Sequence, residues 1–337
     1  MEQNHLKSFE VSGFKKFTDL KIDNIGQFNL IIGDNNVGKT SLLEALLVDY
    51  DKDKSMLALA NIVYNVRKFT QLNQHYLSYF FSDNQTSFPY KTLFRQIEKD
   101  DNYNEIKYVR LNSGDYSAIS GRNKFILNLE PNDPIGYDNI TEKEEFNLNV
   151  PFIPFGSLYS HELTKLYSNN IQLFVDKKDR LLDSLSHIIR GIKNIEVNAS
   201  YSYTPILLIS EKGKNKLSPL GAYGDATVKL FRILLSLFSN DHYNRLMIDE
   251  LDAGVHYSRL TDFTKSLLNI ANEQGKQIFA TTHSKECIES FTKALEETGL
   301  QSEGRIIRLA ETKHGIKAYT MEFAEFENSL LAESEIR

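Results

Sequence analysis

Eight residues, Gly33-Asp34-Asn35-Asn36-Val37-Gly38-Lys39-Thr40, satisfy the spacing G-x-x-x-x-G-K-[ST], and they constrain the fold more tightly than anything else in the chain. Such a loop needs a strand leading in and a helix leading out. Phe28-Asn29-Leu30-Ile31-Ile32 is an apolar run bounded by turn residues and predicts a buried strand. Ser41-Leu42-Leu43-Glu44-Ala45-Leu46-Leu47 carries leucines along one stripe and predicts a helix. Backbone N–H groups of the loop and the positive end of the helix dipole then hold phosphates. Gly33 and Gly38 permit turns that a side chain blocks. Lys39 reaches the β- and γ-phosphates, and the Thr40 hydroxyl ligates Mg²⁺.

Elsewhere strands and helices alternate, which predicts an α/β sheet. Strands are expected at Leu6 to Val11 and Asp19 to Ile25 around a Gly13 turn, and helix over residues 55–80. Between 101 and 155, short alternating runs such as Ile106 to Leu111 and Phe125 to Leu129 predict an antiparallel β-meander. Helical spacing returns at 158–190, two strands at 194–210, and an apolar helix at Thr227 to Ser239. Arg245-Leu246-Met247-Ile248 and Gln277-Ile278-Phe279-Ala280 predict buried strands. Leu260, Phe263, Leu267 and Ala271 mark a helix between them that stops at Gly275. Residues 305–320 predict a closing hairpin.

Two carboxylates close the first of those strands. Beside the phosphate loop, Asp249 is placed to bind Mg²⁺ and Glu250 to polarise an attacking water; taken alone, the pair also reads as a solvated strand end. The second strand ends in Thr281-Thr282-His283-Ser284. In a parallel sheet its imidazole would sense a γ-phosphate or orient the water; a structural histidine is the plainer alternative. Ser218 to Thr227 is a glycine-containing helix start around Gly224 and Asp225. It reads either as an anion site facing a neighbour's nucleotide or as an ordinary N-cap by Asp225 or Thr227. Cys287 reads as a small buried residue, His256 as an interface contact or a packed surface residue, and Lys212, Lys214 and Lys216 as a basic loop that could touch DNA or, more plainly, as a solvated turn.

Charge and composition narrow the class. The net charge is -6 and the pI about 5.8, without the basic excess of a dedicated nucleic-acid binder. A single cysteine excludes an internal disulfide framework. With no long apolar span and no signal peptide after Met1, a soluble, cytoplasmic chain without membrane contact is expected.

These elements, in this order, resemble the ABC-type ATPases of the SMC and RecF group, and more closely the compact OLD-like "AAA family" ATPases of bacteria. The resemblance rests on Gly33 to Ser41, Gly224 to Thr227, Ile248 to Tyr257 and Gln277 to Ser284, and runs from about residue 6 to 320. It implies an α/β ABC-ATPase-type P-loop head with a central mostly parallel sheet, an N-terminal antiparallel β-meander and a helical subdomain. One lobe would comprise about 1–155 and 240–337, and a helical lobe about 156–239. It implies ATP and Mg²⁺ sandwiched in a homodimer or higher homo-oligomer. Gly224 and Asp225 would approach the partner's γ-phosphate, Ala253 to His256 would form a D-loop, and His283 would be the switch histidine. Lys15 and Lys16 would lie near the phosphates or the base. The chain departs from the group in having Gly224-Asp225-Ala226 where a Ser-Gly-Gly core is usual, and Gln96 and Gln172 lack Q-loop spacing. It has no long coiled coil, and the TOPRIM nuclease of full OLD proteins is not expected within it. The expected function is therefore an ATP-hydrolysing switch that controls a separate nuclease or toxin in anti-phage defence. A RecF-like DNA-repair ATPase and a non-hydrolysing scaffold or toxin-holding sensor are the alternatives.

Overall fold

In the computed structural model, the residues described are 5–47, 71–72, 90–97, 103–110, 116–120, 123–127, 135–136, 152–155, 161–186, 189–198, 205–238 and 244–331. Alternation builds the first hairpin. In β1 (Ser8–Phe14) and β2 (Phe17–Ile22) the buried side chains include Phe9, Val11, Phe14, Phe17, Leu20 and Ile22. The two strands stay paired as far as Phe14↔Phe17, so the chain reverses at Lys15–Lys16 and not at the expected Gly13. Lys15 supplies the positive φ, 50°, that a two-residue reversal favours. Next comes β3 (Phe28–Gly33), buried at five successive positions, then the phosphate loop and α1 (Lys39–Ala45).

The meander follows. After the two-residue β4 (Gln71–Leu72) come β5 (Tyr90–Ile97), β6 (Tyr103–Arg110), β7 (Tyr116–Ser120) and β8 (Asn123–Leu127), each antiparallel to the one before from β6 onward. With β1 and β2 they form one sheet in the order β2-β1-β5-β6-β7-β8. A further short strand, β9 (Ile135–Gly136), pairs with β4. The meander thus begins at Tyr90, earlier than the composition shift at 101. Of the helix expected over 55–80, only Gln71 and Leu72 are described, and they are strand; the rest lies outside the described residues, as do 137–151.

The chain divides into two compact units: Met1–Phe152 with Arg305–Arg337, and Ile153–Gly304. At the boundary stands β10 (Phe152–Ile153). In the second unit the helical stretch is two helices, α2 (His161–Asn170) and α3 (Val175–Ser186), broken where the Ile171 and Gln172 N–H groups both turn back to the Tyr167 carbonyl. An antiparallel trio comes next: β11 (Ile192–Asn198), β12 (Ile206–Glu211) and β13 (Ser218–Pro219). A short 3₁₀ turn over Leu220–Tyr223 delivers the chain to α4 (Asp225–Phe238). Val228, Leu230, Phe231, Ile233 and Leu234 of α4 are all buried.

Then β14 (Arg245–Ile248), α5 (Tyr257–Glu273) and β15 (Gln277–Thr281) form a β-α-β crossover, with β14 and β15 parallel in the register Leu246↔Ile278 and Ile248↔Ala280. The next helix is α6 (Lys285–Thr298). α4 packs against both β14 and α5, and residues 244–304 fall in the second unit. The first unit closes with β16 (Gly304–Thr312), β17 (Gly315–Glu322) and α7 (Phe323–Leu331), the two strands forming the expected hairpin. By class the protein is α/β, with a mostly parallel central sheet and antiparallel sheets. No helix among the described residues is long and apolar enough to cross a membrane.

Candidate functional site

The phosphate loop belongs to the first unit. It turns on three left-handed residues: Gly33 (φ 142°), Asn36 (φ 64°) and Gly38 (φ 107°). At Gly33 a Cβ would lie 2.4 Å from the Leu309 carbonyl oxygen of β16, so the glycine is required by close approach as well as by φ. Val37 is buried and fastens the loop, while Asp34, Asn35 and Asn36 are exposed. The Lys39 amine curls into the loop and donates to the carbonyls of Gly33 (2.8 Å) and Asp34 (2.9 Å). Thr40 and Ser41 stand half-buried on the first turn of α1. Lys16 donates to the Asn36 carbonyl at 2.7 Å and so touches the loop. Lys15 instead forms a buried ion pair with Glu44 of α1, through which the first hairpin grips the helix behind the loop.

The acidic strand end belongs to the second unit. Asp249 and Glu250 leave β14 beside Thr281, the last residue of β15. The Thr281 hydroxyl donates to Asp249 Oδ1 at 2.8 Å and accepts from the Glu250 N–H at 2.8 Å. The Asp249 N–H donates to the Ile153 carbonyl at 2.8 Å. Thr282 repeats the device one residue later, donating to Asp252 Oδ1 at 2.6 Å. His283 Nε2 lies 2.8 Å from Glu250 Oε1, so the expected base and histidine meet. Glu250 itself is left-handed, with φ 51°. A bulky residue there is strained, and such strain persists only where the surroundings over-determine it.

Sequence reasoning missed Lys229. It lies on α4, only 1% exposed, and donates to the carbonyls of Asp249 (2.7 Å) and Glu250 (2.5 Å). Burial lowers its pKa to about 8, while the charges of Asp249, Glu250 and Asp252 act to raise it. The signal was a lone cation in the apolar run Val228-Lys229-Leu230-Phe231. Also in this unit, His256 caps α5, its Nδ1 accepting from the Ser258 N–H at 3.4 Å, and stacks on exposed Tyr257 at 4.4 Å. Ala253 donates its N–H to the Glu250 carbonyl at 3.0 Å. Cys287 is buried, which pushes its thiol pKa up.

Gly224 (φ 85°) and Asp225 are exposed at the start of α4, with open space where a Gly224 Cβ would be. The Thr227 hydroxyl donates back to the Tyr223 carbonyl at 3.2 Å instead of capping the helix. The Tyr223 hydroxyl donates to Glu211 at 2.5 Å, and Lys214 pairs with the same carboxylate at 2.6 Å. Those two hydrogen bonds hold the Glu211 carboxyl below its ordinary pKa, and burial, then the Glu211 bond, raise that of Tyr223. Lys212, Lys214 and Lys216 occupy an exposed turn.

Among the described residues no cluster of three or more His, Cys, Asp or Glu side chains could hold a metal. The Thr40 hydroxyl and the Asp249 carboxylate are oxygen donors of the kind Mg²⁺ takes, and they belong to different units.

The fold is α/β, and it is the fold of SMC head domains. The chain superposes on the SMC head bound to the C-winged helix domain of ScpA with TM-score 0.59 and 13% identity, covering 96% of this chain and 99% of that one. A second SMC head, with an extended coiled coil and bound to the C-terminal domain of ScpA derived from Pyrococcus furiosus, gives TM-score 0.57 and 11% identity over 98% and 99%. At these identities the likeness is one of fold. Residues 73–289 match the family described as "AAA domain, putative AbiEii toxin, Type IV TA system", and the chain belongs to that family. The matched span includes Asp249, Glu250 and His283 and begins beyond the phosphate loop. A Helicobacter pylori (strain ATCC 700392 / 26695) protein named ATP/GTP phosphatase is 26% identical over 348 residues, covering 91% of this chain and 92% of its own.

Proposed function

We propose that the chain hydrolyses Mg²⁺-bound ATP and uses the cycle as a switch. ATP held between two heads keeps them together, and hydrolysis lets them part. The change controls a separately encoded effector, a nuclease or a toxin, in bacterial defence against phage. One observation carries the hydrolytic reading: Glu250 Oε1 at the end of β14 lies 2.8 Å from His283 Nε2, just beyond the parallel strand β15. A carboxylate held this way is set to take a proton from water.

In this reading residues 33–41 bind the phosphates, and Lys39 exchanges its two loop carbonyls for phosphate oxygens. Thr40 and Asp249 would hold a Mg²⁺ ion, which when bound would offset phosphate charge. Glu250 accepts a proton from the attacking water, whose oxygen bonds to the γ-phosphorus. The bond to the β–γ bridging oxygen breaks, and ADP departs with its electron pair. His283 keeps the Glu250 carboxylate in place. Gly224, Asp225, Ala253 and His256 serve the second subunit's nucleotide, a role that suits the exposure of the first two.

The name of the Helicobacter relative supports nucleoside triphosphate hydrolysis and makes GTP a substrate to assay beside ATP. The family description supports a toxin–antitoxin setting for the effector. The SMC heads bound to pieces of ScpA support a second protein as partner. The decisive variant is Glu250→Gln. It should bind ATP normally, hydrolyse it roughly 10²–10⁴-fold more slowly, and elute as a stable dimer in ATP. Turnover at the wild-type rate would remove Glu250 as the base.

A further inference from the structure

We propose that Lys229 is a positioning residue for hydrolysis, holding the main chain at Asp249 and Glu250 so that the Glu250 carboxylate meets His283. The proposal rests on Glu250 being the base.

The geometry is specific. A lysine 1% exposed has few places to send its amine, and charged neighbours would be the ordinary choice. Lys229 Nζ instead donates to the two successive carbonyls of Asp249 and Glu250. The Glu250 carbonyl also accepts from the Ala253 N–H at 3.0 Å, so two donors fix the orientation of that peptide. Meanwhile the Glu250 N–H is taken by Thr281. Both sides of a left-handed glutamate are therefore tied down, one by β15 and one by α4. Without the amine, two carbonyls in a buried setting lose a donor, and the strained φ of 51° loses a restraint that keeps it from relaxing. A relaxed Glu250 carries its carboxylate away from His283.

Position along the helix adds a consequence. Lys229 follows Gly224 by five residues, on the helix that Gly224 and Asp225 open. The register of α4 is thereby tied to the catalytic main chain within one subunit.

The test uses the full-length chain. Lys229→Met keeps the stem and removes every donor; Lys229→Arg restores donors. For each, a thermal melt, Kd for a fluorescent ATP analogue, and kcat and KM with Mg²⁺-ATP are measured. Lys229→Met should leave Kd and KM within about twofold and lower kcat by roughly 30-fold, with Lys229→Arg recovering much of it. A kcat within about twofold of wild type in Lys229→Met, beside an inactive Glu250→Gln, overturns the role of Lys229 and leaves Glu250 as the base. Wild-type turnover by Glu250→Gln defeats the base itself. An equal loss of Kd and kcat in Lys229→Met also overturns the proposal, since it marks general damage. Should Lys229→Met fail to fold, Lys229→Gln takes its place, with kcat lowered at unchanged KM as the expected result and an unchanged kcat as the overturning one.

Discussion

The phosphate loop and the acidic strand end both depend on backbone in the left-handed region, and they reach it by different routes. The loop uses residues that tolerate it: Gly33, Asn36 and Gly38. The acidic end imposes it on Glu250, and surrounds that residue with hydrogen bonds from Thr281, Lys229 and Ala253. In the first region local sequence makes the shape. In the second, residues up to 31 positions away make it. A motif written in glycines is legible in one dimension, and a motif held by tertiary contacts is not.

That contrast can be broken by substitution. The largest effect should follow Lys39→Ala, which removes the phosphate-binding cation. ATP-analogue affinity should fall by roughly a hundredfold or more, with turnover lost. Binding that survives would mean the loop is not the phosphate site.

Next in size is Gly33→Ala. Both the φ of 142° and the 2.4 Å approach to the Leu309 carbonyl oppose a side chain. A loss of about 3 kcal/mol in urea unfolding is expected. A loss near zero would show that β16 yields easily.

His283→Ala tests the other region. If the imidazole serves only to hold Glu250, kcat should drop roughly tenfold at unchanged KM. A change in KM alone would assign His283 to binding.

A smaller effect separates backbone from carboxylate. Glu250→Gly should be more stable than Glu250→Ala by about 1 kcal/mol, the reverse of the usual order, because only glycine takes φ 51° without strain. Equal stabilities would mean that the left-handed turn is not strained. Such a result would erase the difference between the two regions.

The smallest effect concerns the turn before α4. The Glu211 pKa is lowered in the folded chain, mainly by its hydrogen bonds to Lys214 and then Tyr223. Its contribution is therefore present above the ordinary glutamate pKa and is lost as pH falls through the lowered folded value. Amide exchange over residues 206–224 should quicken in that acidic window. In Glu211→Gln this added pH dependence should vanish.

Much of the site was legible before any coordinates. The apolar run into Gly33, the helix out of Thr40 and the carboxylates after Ile248 all appear where periodicity placed them. The Glu250–His283 contact was not read, because the sequence places the histidine only after the neighbouring parallel strand, and the turns beyond Ile248 and Thr281 decide which side chain it meets. The reversal at Lys15–Lys16 was misplaced to Gly13, since a glycine is the stronger local turn signal and pairing across the hairpin decided otherwise. The partner of the Lys15 amine, Glu44, lies 29 residues away and was not read from the sequence. Lys229 was invisible because a lysine in an apolar helix looks the same whether it snorkels to water or turns inward.

Short-range order, then, fixed what this protein carries: a glycine loop between strand and helix, and a carboxylate pair and a histidine at the ends of apolar strands. These depend on backbone sterics and on the period of apolar residues, both local. Packing alone decided which amine grips which carbonyl, where the first hairpin turns, and that a glutamate sits at a backbone angle glycine would prefer. Those outcomes are set by desolvation. A buried lysine or a strained peptide settles on whatever donor or acceptor the folded chain places within about 3 Å, and that neighbour has no fixed spacing in the sequence.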